Sequence, residues 1–295
     1  SRIKILGSMD IAEHRLPQDG QTTMLRSGRP IDLRISILPT VEGESCVIRI
    51  LDKDAGLKPL DELGLEPGDL QKLKDLASLH QGLILMTGPT GSGKSTTLYS
   101  MLNEIRQRTP HIITVEDPVE YEMDGVIQVQ VNEKTGFTFA RGLRHILRHD
   151  PDVILVGEIR DQETAEIAMQ AALTGHLVLA TLHTNDATST VTRLADMGVA
   201  LYLISGTLLG ALAQRLVRLN CPACTESGVE VNQAIRDAMG AGPDEVFYRG
   251  LGCPKCGYTG FRGRAMVPEI FVPDDQIRDM ISHGGSAKEL RRQAM

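Results

Sequence analysis

The stretch "LILMTGPTGSGKSTTLYS" (83–100) constrains this chain more than any other. An apolar run leads into G-x-x-x-x-G-K-S at Gly88–Ser95, and a helix-forming segment follows. That strand–loop–helix context is what a phosphate-binding loop requires. Glycines let backbone N–H groups wrap the phosphates, and the positive end of the following helix faces them. The binding segment is Gly88, Pro89, Thr90, Gly91, Ser92 and Gly93, then Lys94, Ser95 and Thr96 at the helix start. Lys94 is placed to reach the β/γ-phosphates of ATP, and the Ser95 hydroxyl to ligate Mg²⁺.

Around this loop the chain alternates apolar strands, expected at 83–87, 111–115, 153–157 and 177–182, with helical stretches at about 94–106, 138–149, 161–173 and 186–197. That alternation predicts an α/β fold with a parallel sheet. Ligands collect at the carboxyl ends of such strands. "HIITVEDPVEYE" puts Glu116 and Asp117 at one strand end, and "PDVILVGEIRD" puts Glu158 at another. Three acids exceed what Mg²⁺ needs as direct ligands, because it keeps several waters. Glu158 is therefore assigned to orienting or deprotonating the attacking water, with Glu116 acting through metal-bound water. Asp117 joins them as a magnesium ligand, and Glu120 is a further candidate. "LVLATLHTND" ends a strand in His183, which is either a γ-phosphate sensor or simply a hydrogen-bonded strand-end residue.

Residues 1–79 lack the phosphate-loop signature. "DLRISIL" (32–38) and "SCVIRIL" (45–51) alternate as strands around "PTVEGE". Folding them back with Pro39–Glu44 as the loop sets Leu33, Ile35 and Ile37 opposite Ile50, Ile48 and Cys46, which supports the register. Cys46 then reads as a core residue. The same register sets Arg34 opposite Arg49, and like charges directly opposite destabilise a pair. Either an anion bridges them, a nucleotide phosphate first of all, or acidic side chains do so on a solvated face. "RGLRHILRH" places Arg141, Arg144 and Arg148 at helical spacing. They form a solvated face, a subunit interface, or a surface for an acidic partner.

Cys221-Pro-Ala-Cys224 and Cys253-Pro-Lys-Cys256 are two CxxC knuckles, the spacing of a tetrahedral Zn²⁺ site whose four positions are all filled, and so a structural one. Five cysteines in this pattern suit a reducing cytosol better than disulfides. Lys+Arg is 31 against 38 acidic residues, and ten aromatics include no Trp. That argues against nucleic acid and against a base-stacking platform. Val199–Ala213, the most apolar stretch, is too short for a membrane span and reads as a buried helix. The chain opens "SRIKILGSMD", without initiator Met or signal peptide, and reads as a piece of a longer protein.

"RLPQDG" (15–20), "GPTGSGKSTTLY", "VEDPVE", "RHDPDVILVGEIRD", "ATLHTNDA", "QRLVR" (214–218) and "CPxC…CPKC" together resemble the ATPases of bacterial type II secretion systems (GspE-like), close relatives of the type IV pilus assembly ATPases. The resemblance implies a PAS-like α/β domain at 1–79 and a RecA-like P-loop ATPase core at 80–220. A tetracysteine zinc subdomain at 221–256 and a C-terminal helical segment at 257–295 follow. It implies a cytoplasmic homohexamer, peripheral at the inner membrane through platform and cytoplasmic-domain partners of a secretion system. It makes Glu158 the catalytic acid, and it carries Arg34 and Arg49 to the nucleotide. Two departures stand out. The family's N-terminal partner-docking domain is not expected within residues 1–295, and "RGRAMVPEI" (262–270) differs from the family's Thr-Gly-containing stretch. The expected function is an ATP-hydrolysing motor for pseudopilus assembly and protein export. A pilus assembly ATPase is the near alternative, and a DNA-translocating motor or a nucleotide-gated scaffold the remote ones.

Overall fold

A computed structural model describes residues 1–26, 28–52, 57–108 and 110–294. The chain opens with helix α1 (Arg2–Leu6) and strands β1 (Gln18–Arg26), β2 (Arg29–Thr40) and β3 (Gly43–Asp52), an antiparallel sheet in the order β1-β2-β3. The hairpin register is the expected one: Leu33 faces Ile50, Ile35 faces Ile48, Ile37 faces Cys46, and Arg34 faces Arg49. The turn is tighter than the six residues expected, because Thr40 still pairs with Gly43. Strand β1, not foreseen, pairs with the other edge of β2. Cys46 corrects the reading of it as core: it is exposed. Alternation matches faces but does not supply a cover. Ile35 and Ile37 on β2 are buried, while Ile48 and Ile50 on the outer strand stay open to solvent.

Helix α2 (Pro67–Ser78), with proline at its start, leads to the main sheet. Its elements in chain order are β4 (Gly82–Thr87), α3 (Lys94–Arg106), β5 (Ile112–Glu116), β6 (Val126–Gln130), α4 (Phe139–Ile146), β7 (Val153–Val156), α5 (Gln162–Leu173), β8 (Leu177–Thr181), α6 (Ser189–Asp196), α7 (Leu201–Thr207) and β9 (Leu208–Asn220). Then come β10 (Thr225–Ser227), α8 (Gln233–Met239), β11 (Tyr248–Gly250), β12 (Phe261–Phe271), α9 (Asp275–Ser282) and α10 (Ala287–Ala294). The spatial order is β12-β9-β4-β8-β7-β5-β6, parallel throughout except for β12, which runs antiparallel to β9.

Strands β4, β5, β7 and β8 are buried along their whole length. A sheet covered on both faces explains why they read as unbroken apolar runs. Leu83, Leu85, Ile154 and Val156 point into a core shared with α4 and α5. Ile84, Met86 and Leu155 point into a second core, beneath α2 and α3. On α4, Phe139, Ala140, Leu143 and Ile146 are buried, the stripe that turns an amphipathic helix onto a sheet.

Two expectations need correction. Val199–Ala213 is helical only as far as Thr207; from Leu208 the chain is strand β9, inserted beside β4. A run buried on every side carries no periodicity by which helix and strand differ. The segment 257–295 is not purely helical, because β12 closes the edge of the main sheet before α9 and α10. Its Pro268 suits an edge strand. Among the described residues, no helix is long and apolar enough to cross a membrane.

Candidate nucleotide site and cysteine cluster

Strand β4 stops at Thr87 and α3 starts at Lys94, so Gly88–Gly93 crosses the carboxyl edge of the sheet as a loop. Gly88 has φ +133°, and a Cβ there would lie 2.5 Å from the Gln214 carbonyl oxygen. Both facts call for glycine. Gln214, buried on β9, donates from Nε2 to the Ser92 carbonyl at 2.8 Å and braces the loop from the neighbouring strand. Ser92 Oγ and Gln214 Oε1 are buried with no hydrogen-bond partner among the described residues. Lys94 Nζ donates to the carbonyls of Gly88 (2.7 Å) and Pro89 (3.1 Å), closing over its own loop. Burial pushes its pKa down, and the charge of Glu158 works against that.

A cleft of about 460 Å³ opens over this loop and is lined by Lys94, Ser95, Glu116, Asp117, Glu158 and His183. All six were singled out in the sequence, and the strand ends bring them together. Arg264 on β12, Leu216 on β9 and Tyr99 on α3 line it as well, and sequence reasoning missed them. Gly157 explains the Gly-Glu ending of β7. Its N–H donates to the Val115 carbonyl at 2.8 Å, and a Cβ there would sit 3.2 Å from Glu116 Cα. A side chain there would push the ends of β7 and β5 apart by a few tenths of an ångström, so glycine keeps them close and sets Glu158 beside Glu116. Glu158 forms an ion pair with Arg160, and His183 Nε2 lies 3.7 Å from its other oxygen. The pairing of β7 with β8 puts His183 there, and Thr181 Oγ1 donates to the Gly157 carbonyl at 2.6 Å across the same gap.

Glu116 is only 4% exposed. Tyr99 Oη donates to its Oε2, while Thr114 Oγ1 (2.6 Å) and Gln128 Nε2 (3.3 Å) donate to its Oε1. Burial, and then the Glu116 charge, push the Tyr99 phenol well above its usual pKa, so it stays a donor. A positive helix end, a lysine, a hydroxyl and three carboxylates in one cleft form a donor set that suits a nucleotide triphosphate with Mg²⁺. Lys94 and the loop amides would hold the phosphates; Ser95 and Asp117 would hold the ion directly, and Glu116 and Glu158 through water.

Arg34 and Arg49 lie outside this cleft. Arg34 forms an ion pair with Glu120 (3.2 Å) and donates to the Val119 carbonyl (3.3 Å). Arg49 lines a neighbouring cavity with Asp117, Gln130 and Lys134. Arg141, Arg144 and Arg148 are exposed, and Arg144 pairs with Glu163.

The antiparallel pairing of β9 with β12, with Asn220 opposite Phe261, brings both knuckles to one end of the sheet edge. Cys221, Cys224, Cys253 and Cys256 hold their sulfurs within 4.8 Å of one another, with the pairs Cys221–Cys253 and Cys224–Cys256 at 3.9 Å. A disulfide needs about 2.05 Å. Four thiolates about 2.3 Å from a tetrahedral Zn²⁺ stand about 3.8 Å apart, so the spacing suits that ion. The backbone N–H of Cys253 donates to Cys256 Sγ at 3.1 Å and helps pull that thiol down to about 6.

The profile of a family described as type II/IV secretion system protein matches residues 1–295. The type II secretion system protein HxcR of Pseudomonas aeruginosa is 52% identical over 294 residues, covering 100% of this chain and 59% of the relative. The type IV pilus assembly ATPase PilB of Thermus thermophilus is 48% identical over 295 residues, covering 99% of this chain and 33% of the relative. The crystal structure of the pilus retraction motor PilT with bound ADP superposes with a TM-score of 0.67 at 33% identity, covering 95% of this chain and 69% of that one. This chain thus spans less than two thirds of the length of these two secretion and pilus relatives.

Proposed function

The chain belongs to the type II/IV secretion system protein family, and on that premise we propose that it is the motor portion of a type II secretion ATPase, hydrolysing ATP to drive pseudopilus assembly and protein export. One observation carries the reading: phosphate loop, Ser95 hydroxyl and three strand-end carboxylates share a single cleft. The loop amides and Lys94 bind the phosphates, with Lys94 exchanging its two loop carbonyls for phosphate oxygens. Mg²⁺, when bound, neutralises charge on the β- and γ-phosphates. Glu158 orients the attacking water and accepts its proton, while Glu116 and Asp117 sit on the ion's side of the cleft. His183, beside Glu158, senses the γ-phosphate and passes its loss to the segment Thr184–Thr190 that leads into α6.

Arg34 and Arg49 serve as arginine fingers once the β1-β2-β3 sheet shifts from its Glu120 contact. The four cysteines hold a structural Zn²⁺. The working form is a homohexamer, peripheral at the inner membrane through partners of the secretion system. The domains are 1–79, 80–220 and 221–256, with α2 of the first packed onto the ATPase core and 257–295 returning to that core through β12. Pilus assembly is the second reading, supported by the 48% identity to PilB.

The test is the ATPase rate per subunit against protein concentration, for the wild type and Glu158→Gln. A specific rate that climbs with concentration and falls on the order of 100-fold in the variant, with ATP still bound, is expected. Normal turnover in Glu158→Gln overturns the assignment of Glu158. A flat rate near zero in the wild type, with ATP bound, turns the reading to a nucleotide-gated scaffold.

A further inference from the structure

Glu116 is buried, yet it lines the nucleotide cleft. A carboxylate offers about four acceptor positions. Among the described residues three are taken: two on Oε1 by Thr114 and Gln128, and one on Oε2 by Tyr99. One position remains, on Oε2, the oxygen that Tyr99 holds. Ser95 and Tyr99 stand four residues apart on α3, and so on one face of the helix. The phenol therefore ties Glu116 to the helix face that carries the magnesium hydroxyl.

We propose that Tyr99 is the positioning residue of the nucleotide site: with Thr114 and Gln128 it fixes the Glu116 carboxylate so that its last acceptor position meets a water of the bound Mg²⁺. The inference rests on the reading of Glu116 given under the proposed function. Gln128 completes the cradle from β6. Its Oε1 accepts from the Met123 N–H at 2.8 Å, which aims its Nε2 at Tyr121 O, Tyr99 Oη and Glu116 Oε1. Tyr121 stacks edge-on against Tyr99, with ring centres 5.3 Å apart, so the ring stays in place without its hydroxyl. The hold on Oε2 thus rests on the Tyr99 O–H group, which can be deleted without changing the shape of the core.

The test compares Tyr99→Phe, Thr114→Val, Glu116→Gln and the double variant Tyr99→Phe/Glu116→Gln in kcat, in KM for ATP, and in Mn²⁺ affinity of the protein–ADP complex measured by electron paramagnetic resonance. Tyr99→Phe is expected to lower kcat about tenfold and weaken Mn²⁺ binding several-fold, as losing a hydrogen bond to a charged group does, with KM changed less than about twofold. Thr114→Val moves the same way. The double variant is no worse than Glu116→Gln alone, because Tyr99 acts through Glu116. Wild-type kcat and Mn²⁺ affinity in both Tyr99→Phe and Thr114→Val, beside an impaired Glu116→Gln, overturn the positioning role and leave the Glu116 reading intact. A lowered melting temperature as the sole effect of Tyr99→Phe also overturns it. A Glu116→Gln variant that matches wild type in both readouts removes the reading beneath it.

Discussion

Gly157 and Gln214 act at the nucleotide site without carrying its chemistry. A Cβ at Gly157 would press on Glu116 Cα at 3.2 Å and on the Val115 carbonyl oxygen at 3.3 Å. Gly157→Ala is therefore expected to part the ends of β5 and β7 by a few tenths of an ångström. Strain of about 1–3 kcal/mol follows. Turnover falls further than ATP affinity does, which steady-state kinetics and thermal melting check. Gln214→Leu keeps the side-chain volume but removes the donor to the Ser92 carbonyl. About tenfold weaker ATP binding, with an unchanged melting temperature, is the expected outcome by calorimetry. The places of Lys94, Ser95, Glu116, Asp117, Glu158 and His183 in one cleft were legible in the sequence, because a strand end is a local signal and the sheet gathers such ends. Gln214 was not. Its partner Ser92 lies 122 residues away, and no spacing rule links them. Tyr99 left a weak signal, one helical turn beyond Ser95, that reads as core without knowledge of what it touches.

At the scale of elements, periodicity located β4, β5, β7 and β8 within a residue or two, and it located the helices between them. It failed where burial removes contrast, at Leu208–Gln214, and where the strand is a half-exposed edge, at β6 and β12. The cysteine knuckles are legible from spacing, but the hairpin that unites them is not, since the buried start of β9, Leu208–Ala213, reads as helix. That hairpin separates the cysteine cluster from the phosphate loop: Cys221 lies seven residues beyond Gln214, roughly 20 Å along an extended strand. Cys253→Ser is expected to abolish zinc content by elemental analysis and to quicken hydrogen exchange across 221–256, with ATP affinity unchanged within about twofold. Absence of zinc from the unmodified protein rules out the knuckle reading.

Across the whole molecule, Arg34 joins the N-terminal sheet to the segment after β5 through Glu120 and Val119. A half-exposed ion pair of this kind contributes little to stability by itself. Its interest is the competition it sets up, because the arginine that holds Glu120 is also the one assigned to the nucleotide. Arg49→Ala is expected to cut turnover about tenfold with the fold intact by circular dichroism. Exchanging the charges, Arg34→Glu with Glu120→Arg, is expected not to restore turnover. Recovery in the exchanged variant would mean that Arg34 serves Glu120 and never the phosphates.

The pairing of β9 with β12 also bears on how the chain is made. Strand β12 is the last strand of the main sheet to leave a ribosome, yet it is the outermost, and until it arrives the far edge of β9 is bare. Cys221 and Cys224 emerge directly after β9, and Cys256 precedes β12 by only five residues. With zinc held as proposed, the metal would close the intervening excursion just as the partner strand emerges, shortening the loop to be closed and saving roughly 1 kcal/mol of chain entropy. Nascent chains released after Phe271, made with and without zinc, would differ in aggregation if this ordering operates, and equal solubility would refute it. On this account the cysteines, none of which lines the nucleotide cleft, set the timing with which the newborn chain covers the far edge of β9.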